Sequence, residues 1–285
     1  MRIEVLSDHV GEQYDRIVKA IDDNALLLAK HRRRLERAEA DLRAARRRKG
    51  LLKRLFRIRS AEERRVQKTA EGARRAIADA GDRHQALQER RLQTAGGLKG
   101  EERFRSKLAR LPDEWTYLAG YKNRAGEIDA ILIGPKSVWA VEVKSHRAHL
   151  HVDGDDWWFE KYDQYGNSVE TRRAVDGGGR NWGRQASDPA RRLESWLERN
   201  GHRVRIRTAV VLTNHRASLG AIRNPRVDLI TCDPFEVVHS KRFDGRALSE
   251  ADRDAIASLI KRDHQHHRKR RPKPRSGRKT RGKAR

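Results

Sequence analysis

Apolar side chains recur every seven residues through the first part of the chain. The two seams of this repeat contain Tyr14, Ile21, Leu28, Leu35 and Leu42, and Ile17, Asn24, His31, Ala38 and Ala45. Asn24 and His31 are polar members of the second seam and weaken it. The seven-residue period predicts a long helix that ends near Gly50.

A second seven-residue repeat follows after Ser60. Glu63 stands three residues after Ser60, which is the spacing of a capping box at the start of a helix. The repeat runs through Val66, Ala73, Ala80 and Leu87. We expect Gly96, Gly97 and Gly100 to end this helix. Residues 1–95 are therefore predicted to form a helical hairpin, or a coiled coil with a second chain as a homodimer.

Between these helices, Leu51–Ile58 interleaves apolar side chains with Arg and Lys. This pattern is typical of a hairpin tip that packs on itself or on a partner. It is also typical of a basic amphipathic contact with nucleic acid or an anionic membrane surface.

The middle of the chain alternates between strand and helix patterns. A short helix is predicted over residues 101–111 and a strand over 115–121. Two further strands, 127–133 and 138–144, flank the turn at residues 134–137 and form an antiparallel hairpin. Beyond them we predict a helix over 182–200, strands over 206–212 and 227–230, and a helix over 248–261.

Two carboxylates interrupt the apolar strands of the predicted hairpin. Asp129 lies on the first strand, and Glu142 lies on the second, where Lys144 shares its face. The turn places Asp129 opposite Glu142 or Lys144. This arrangement suits a hard divalent cation such as Mg²⁺, and the lysine could assist an attacking water or offset phosphate charge. The spacing alone equally fits a buried ion pair that holds the strand register.

The net charge is concentrated at the two ends of the chain. Lys and Arg number 66 against 40 Asp and Glu, a formal charge of +26. Residues 1–100 carry +11, residues 101–260 carry +3, and residues 261–285 carry +12. All six Trp fall in the nearly neutral middle, so we expect the packed core there.

The C-terminal segment is basic and lacks large apolar side chains, so residues 263–285 are predicted to form a disordered tail. Such a tail binds phosphate backbones without reading sequence. The basic residues that we expect to contact nucleic acid are Arg268, Lys269, Arg270, Arg271, Lys273, Arg275, Arg278, Lys279 and Arg281.

Several classes of protein are excluded by composition. A single cysteine, Cys232, excludes a disulfide framework. No apolar run is long enough for a transmembrane segment. The N-terminal stretch is acidic and lacks the apolar core of a secretory signal, so we expect a cytoplasmic protein.

A set of short motifs resembles a known family. Its members are Gly100-Glu101-Glu102, Gly126-Glu127-Ile128-Asp129, Gly134-Pro135, Val138 to Lys144, Val152-Asp153-Gly154 with Trp157, and Asn181-Trp182 with Gln185. Together, over roughly residues 97–215, they resemble the nuclease-related domain (NERD), a branch of the PD-(D/E)xK restriction-endonuclease-like superfamily.

This resemblance implies both a fold and a site. The fold would be an α/β (α+β) restriction-endonuclease-like core, a mixed sheet flanked by helices, over residues 96–262. Asp129 and Glu142 match the metal ligands and Lys144 the catalytic lysine. Glu101, or Glu102 if the register slips by one, matches a further ligand, and Gln185 matches a glutamine that approaches the catalytic site. Ile128 stands where the superfamily pattern has proline.

These observations lead to two hypotheses about function. The first is a Mg²⁺- or Mn²⁺-dependent nuclease that hydrolyses phosphodiester bonds, with DNA as the expected substrate and basic flanks for non-specific binding. The alternative is a non-catalytic nucleic-acid-binding or scaffolding protein with a NERD-like domain. A third, weaker hypothesis is a membrane-surface protein that uses Leu51–Ile58.

Overall fold

The computed structural model describes residues 1–47, 60–163, 165, 167–240 and 245–269. The helices are α1 (His9–Arg47), α2 (Ala61–Leu108), α3 (Trp182–Arg199), α4 (Pro234–His239) and α5 (Glu250–Lys269). The strands are β1 (Arg2–Val5), β2 (Thr116–Lys122), β3 (Glu127–Ile133), β4 (Val138–Lys144), β5 (His149–Asp153), β6 (Asp156–Tyr162), β7 (Ser168–Arg173), β8 (Ile206–Leu212), β9 (Ser218–Arg223) and β10 (Leu229–Thr231).

Residues His9–Leu98 form a helical unit of their own. The side-chain amide of Asn24 donates to the carbonyl of Ala80 at 2.8 Å, and Arg74 pairs with Glu39 at 2.7 Å. Later residues of α1 thus meet earlier residues of α2, which makes an antiparallel hairpin within one chain. The predicted Leu51–Ile58 segment lies outside the described residues.

The start of α2 agrees with the sequence pattern. The backbone N–H of Glu63 donates to Ser60 Oγ at 3.1 Å, and the N–H of Ser60 donates to a Glu63 carboxylate oxygen at 2.8 Å. The capping box is therefore confirmed. In α1 the second seam is the more deeply buried one, because Ile17, Asn24, Ala38 and Ala45 are all shielded from water.

The predicted break at Gly96, Gly97 and Gly100 is wrong. The helix α2 continues without interruption to Leu108. Each glycine costs a helix roughly 1 kcal/mol relative to alanine, but the continuation buries Phe104 and Leu108 completely. Burial of those two side chains offsets the unfavourable glycines.

The second unit contains Met1–Asp8 and the chain from Lys99 onward. Its main sheet has the order β1-β2-β3-β4-β8-β10. The β2–β3 and β3–β4 pairs are antiparallel, which confirms the predicted hairpin, and the remaining pairs are parallel. The first eight residues, which we predicted with the helical segment, belong here because β1 pairs with β2.

Helices cover both faces of this sheet. Residues of α3 and α5, among them Leu193 and Ile260, bury one face. The end of α2, through Phe104 and Leu108, and Val237 of α4 bury the other. The prediction of a mixed α/β structure after long helices is confirmed, and the restriction-endonuclease-like arrangement of the core stays a prediction.

A second sheet, with the order β7-β6-β5-β9, was not predicted. Its inner residues Leu150, Trp157 and Phe159 pack with Trp182 of α3 and Leu212 of β8. The segment after β4 is thereby held beside the end of the main sheet.

The predicted start of the tail is also wrong. The helix α5 runs to Lys269 rather than ending at residue 261. Asp263 and His264 are buried. Tyr121 donates its hydroxyl to Asp263 at 2.5 Å and the N–H of Lys122 donates to His264 at 3.1 Å, so both polar side chains have partners. Residues 270–285 lie outside the described residues. None of the described helices is long and apolar enough to cross a membrane.

Candidate active site

The ladder between β3 and β4 ends next to Asp129. The last paired residues are Ala130 and Val141. Beyond that pair the carboxylate of Asp129 accepts a hydrogen bond at 2.8 Å from the backbone N–H of Val143. The side chain thus binds β4 at the point where the two backbones stop pairing, between Glu142 and Lys144 in sequence.

Glu142 and Lys144 form a buried ion pair at the same end of β4. The distance from Lys144 Nζ to Glu142 Oε1 is 2.5 Å. Glu142 is only 5% exposed, and β4 lies between β3 and β8, so both neighbours shield it. Burial of a charge is unfavourable without a partner, and here each residue supplies that partner to the other.

Gln185 reaches this pair from the first turn of α3. Its Oε1 accepts a hydrogen bond from Lys144 Nζ at 2.9 Å. Its Nε2 donates to the carbonyl of Arg180 at 2.9 Å, which fixes the orientation of the amide. The helix begins here because the side chain of Asn181 caps it, accepting from the N–H of Arg184 at 2.7 Å.

An aromatic wall lies beside the lysine. Lys144 Nζ is 5.7 Å from the centre of the Trp182 ring, a distance at which a cation is attracted to an aromatic face. The ring of Trp182 stacks on His146 at 5.4 Å and on Phe159 at 5.7 Å. Burial and the nearby Lys144 lower the pKa of His146, which favours its neutral form.

The charges at the site oppose one another. Burial, reinforced by the neighbouring Glu142, raises the pKa of Asp129 well above its ordinary value, and Lys144 only partly offsets this. Burial would lower the pKa of Lys144, but Glu142 and Asp129 together raise it above its usual range. The lysine therefore stays protonated, while burial and the charge of Glu142 disfavour the charged form of Asp129.

Glu101 on α2 joins this negative environment. Burial, followed by the charges of Glu127, Asp8 and Glu142, raises the pKa of Glu101 to about 7. Its neighbour Glu102 is exposed and instead bonds to Arg105 and Ser106 on the same helix. Of the two alternatives that the sequence left open, Glu101 is the one in the electrostatic field of the site.

Gly100 brings this part of α2 close to the strand ends. A Cβ atom at Gly100 would lie 2.7 Å from Cβ of Ser145 and 3.0 Å from Oγ1 of Thr213, the residues that follow β4 and β8. Real Cβ contacts are not that short, so only glycine permits this approach. This close approach explains why glycine precedes Glu101 in the sequence motif.

The donor set fits a divalent cation held by two carboxylates. Mg²⁺ binds in proteins through one or two carboxylates while keeping several waters, and Asp129 and Glu142 supply two at one strand end. Burial, followed by the charge of Glu142, raises the pKa of Asp129, and a bound cation would favour its charged form. Among the described residues, no group of three or more His, Cys, Asp or Glu side chains is arranged to hold a metal ion.

The structure thus brings Asp129, Glu142, Lys144 and Gln185 together and places Glu101 within their electrostatic reach. Of the basic residues expected to bind nucleic acid, Arg268 is exposed on α5 and Lys269 ends that helix. Arg270 and the others lie outside the described residues.

Sequence reasoning missed the contribution of Asp8 and of the aromatic wall. Asp8 follows β1 and raises the pKa of Glu101, but no motif connects it to residues about a hundred positions later. Trp182 was noted only as part of the family resemblance. Its place beside Lys144 depends on the path of the chain through the second sheet, which the pattern did not indicate.

Comparison with known families supports the resemblance. The model of the nuclease-related domain matches residues 96–213, which include all five predicted site residues. Comparisons with curated proteins and with solved structures found no match.

Proposed function

We propose that this protein hydrolyses phosphodiester bonds of nucleic acid, with DNA as the expected substrate and Mg²⁺ or Mn²⁺ as the required cofactor. One observation carries the proposal. Asp129, Glu142 and Lys144 meet at the ends of β3 and β4 within a segment that matches a nuclease-related family.

The proposed roles follow from the charge state of each side chain. Asp129 and Glu142 would hold the cation, which when bound supplies an activated water and neutralises phosphate charge. The raised pKa of Lys144 keeps its ammonium charged at neutral pH. We therefore assign Lys144 to hydrogen bonding with the phosphate rather than to removing a proton from water.

Gln185 and the aromatic wall would position that ammonium. The amide of Gln185 is oriented by the carbonyl of Arg180 and accepts one of the three hydrogens of Lys144. Trp182 covers a second side of the lysine and excludes water from it. A fixed donor needs no reorganisation when negative charge develops on the phosphate.

Affinity for the substrate would come from other parts of the chain. Residues 1–100 and 261–285 carry net charges of +11 and +12. Lys and Arg in such numbers bind phosphate backbones with little regard to sequence. Binding and chemistry are therefore expected to separate in mutants.

The test is a cleavage assay with purified protein on single-stranded DNA, double-stranded DNA and RNA. Cleavage should require Mg²⁺ or Mn²⁺, stop in EDTA, and be lost in Glu142→Ala. Glu114→Ala, which removes an exposed carboxylate of the same unit, should cleave like the wild type. Equal activity of Glu142→Ala and wild type would refute the proposal.

One observation favours the non-catalytic alternative. The ion pair between Glu142 and Lys144 is already complete, and a pair of this kind can hold two strand residues in place without chemistry. On that hypothesis the protein would bind nucleic acid and show no metal-dependent cleavage on any of the three substrates. Removal of Glu142 would then change stability alone.

A further inference from the structure

A basic cavity lies at the end of the main sheet opposite the candidate active site. Its volume is about 300 Å³, the lower end of the range of small-molecule sites. Strand β4 runs from Val138 beside the cavity to Lys144, so the two places lie about 20 Å apart at roughly 3.3 Å per residue. A small ligand in the cavity would therefore not touch Glu142.

Positive charge dominates the lining. Five Lys and Arg side chains and one histidine face the cavity: Lys136, Arg203, Arg205, Arg207, Arg246 and His202. Asp252 is the one carboxylate among the described lining residues, and it is bound to Ser249 at the start of α5. Arg205 and Arg207 share Asp228, and Arg203 pairs with Glu198 at 3.6 Å, so five cations face three carboxylates and the lining stays cationic.

Backbone hydrogen bonds hold the walls in place. The N–H of Gly245 donates to the carbonyl of Lys136, and the N–H of Leu248 donates to that of Pro135, both at 2.7 Å. These bonds fasten the segment before α5 to the turn between β3 and β4. The cavity is thus formed before a ligand arrives, which lowers the entropic cost of binding.

The floor of the cavity is apolar. Val204, Leu248 and Ile256 contribute to it; Ile256 belongs to the core, and the other two are partly buried and pack against it. An apolar floor with several guanidinium groups above it suits a ligand that has a flat organic part and an anionic group. Arginine forks match phosphate oxygens in pairs.

We propose that this cavity binds a phosphate monoester of nucleotide size, with the base on the apolar floor and the phosphate on Arg205 and Arg246. The phosphate could belong to a free mononucleotide or to the phosphorylated end of a nucleic-acid strand. The site is separate from the carboxylates at Asp129 and Glu142, and binding does not depend on their activity.

The experiment is calorimetric titration of the full-length protein in EDTA with AMP and with adenosine. AMP should bind measurably more tightly than adenosine. The double variant Arg205→Gln/Arg246→Gln should weaken AMP binding by about tenfold or more, since two charge-assisted contacts are lost. The control Arg110→Gln/Arg216→Gln removes the same charge from exposed positions outside the lining and should bind AMP like the wild type.

A second pair of titrations identifies the source of the phosphate. A hexathymidylate with a 5′-phosphate is compared with the same strand without it, in wild type and double variant. A phosphate-dependent gain that the double variant loses indicates a strand end, and binding of AMP alone indicates a free nucleotide. Equal binding of AMP and adenosine together with no phosphate-dependent gain, or equal weakening by the control variant, would overturn the proposal. Glu142→Ala should bind AMP with the affinity of the wild type. The AMP titration can therefore be interpreted even if the nuclease proposal fails.

Discussion

Val143 donates its backbone N–H to the carboxylate of Asp129 at 2.8 Å, across the point where β3 and β4 stop pairing. The position of Asp129 is therefore set by the main chain of β4 rather than by the lysine beside it. We therefore expect the carboxylate to stay in place when a neighbouring side chain is changed, which would make single substitutions at this site interpretable.

Replacement of Lys144 by alanine should abolish cleavage while binding of nucleic acid persists. The change removes the ammonium that we assign to the phosphate, and losses of about 100-fold or more are usual for such groups. Asp129→Ala should have the same effect. The measurements are cleavage rates and duplex affinity at one salt concentration. Loss of binding in step with cleavage would mean that the site, not the flanks, supplies the affinity.

Added Mg²⁺ or Mn²⁺ should raise the melting temperature of the wild type. A ligand that binds only the folded protein stabilises it by mass action, by about 2.7 kcal/mol at a hundred times its dissociation constant. Glu142→Ala should show a smaller shift because one carboxylate is missing. An unchanged melting temperature of the wild type over millimolar metal would favour the structural ion pair.

The contribution of Glu101 to the free energy of unfolding in EDTA should fall as the pH rises from about 4.5 to about 7. Burial and neighbouring carboxylates raise the pKa of Glu101 in the folded protein from 4.5 to about 7. The folded state then binds more protons than the unfolded state in this window, so stability declines toward neutral pH. At roughly 1.4 kcal/mol per pKa unit, the decline from Glu101 reaches at most about 3.5 kcal/mol.

Glu101→Gln should remove this contribution from the pH profile of stability, and Glu102→Gln provides the matched control. Glu102 is the adjacent residue on α2 and is exposed, so its loss should leave the slope as in wild type. Urea denaturation between pH 4.5 and pH 8 measures both. If Glu102→Gln flattens the profile instead, the family motif is displaced by one residue from the register that we assign.

Alanine should have opposite effects at two glycines of α2. At Gly100 the new Cβ would lie 2.7 Å from Ser145, and overpacking of this kind costs about 1–3 kcal/mol. At Gly72 nothing lies within 4 Å, so alanine should stabilise the helix by up to about 1 kcal/mol. Thermal unfolding followed by circular dichroism compares the two, and destabilisation by Gly72→Ala would contradict the argument.

Removal of residues 270–285 should flatten the salt dependence of duplex binding. This segment has nine Lys and Arg and no acid. If about six of them contact phosphates, the wild-type slope of log affinity against log salt includes about −5 from the tail, at roughly −0.9 per contact. The truncated protein should weaken equally on two unrelated duplexes. An unchanged slope would assign phosphate contact to the helices of residues 1–100.

The cut must fall after Lys269 and not at residue 263, where the sequence alone places the start of the tail. A protein that ends at Asp263 loses the buried imidazole of His264, which accepts from the N–H of Lys122. We expect that shorter protein to melt at a lower temperature, because the part-buried N–H of Lys122 loses this acceptor and the packing of His264 is lost.

The accuracy of the sequence predictions differs between elements for physical reasons. Strands β3, β4 and β8 were predicted at their observed bounds, since each is a short apolar run between clear turn signals. The end of α5 was missed because Asp263 and His264 are polar in sequence, while in the structure hydrogen bonds to Tyr121 and Lys122 satisfy them. Sequence polarity does not show where the partner is.

The candidate site shows the same limit. Asp129, Glu142 and Lys144 lie on one hairpin, so the turn alone predicts their proximity. Gln185 approaches from α3, and only the family resemblance indicated its position. Asp8 belongs to a strand connection that nothing in its local sequence connects with α2. Packing between segments that are distant in sequence determines such contacts, and the hydrophobic periodicity of one segment does not predict that packing.

The antiparallel hairpin of α1 and α2 also affects the order in which the chain can fold. Strand β1 pairs with β2 through residues that are more than a hundred positions apart in sequence, such as Arg2 and Thr116. The hairpin returns the chain almost to where it left, since a Cβ at Gly97 would lie 3.6 Å from Val10. Once it has formed, β1 and β2 are joined by an effective loop of a few tens of residues, which lowers the entropy cost of their pairing by about 1 kcal/mol. Two strands that are distant in sequence should then pair about as fast as strands that are close in sequence. Mutations that destabilise the helices should slow the assembly of the sheet.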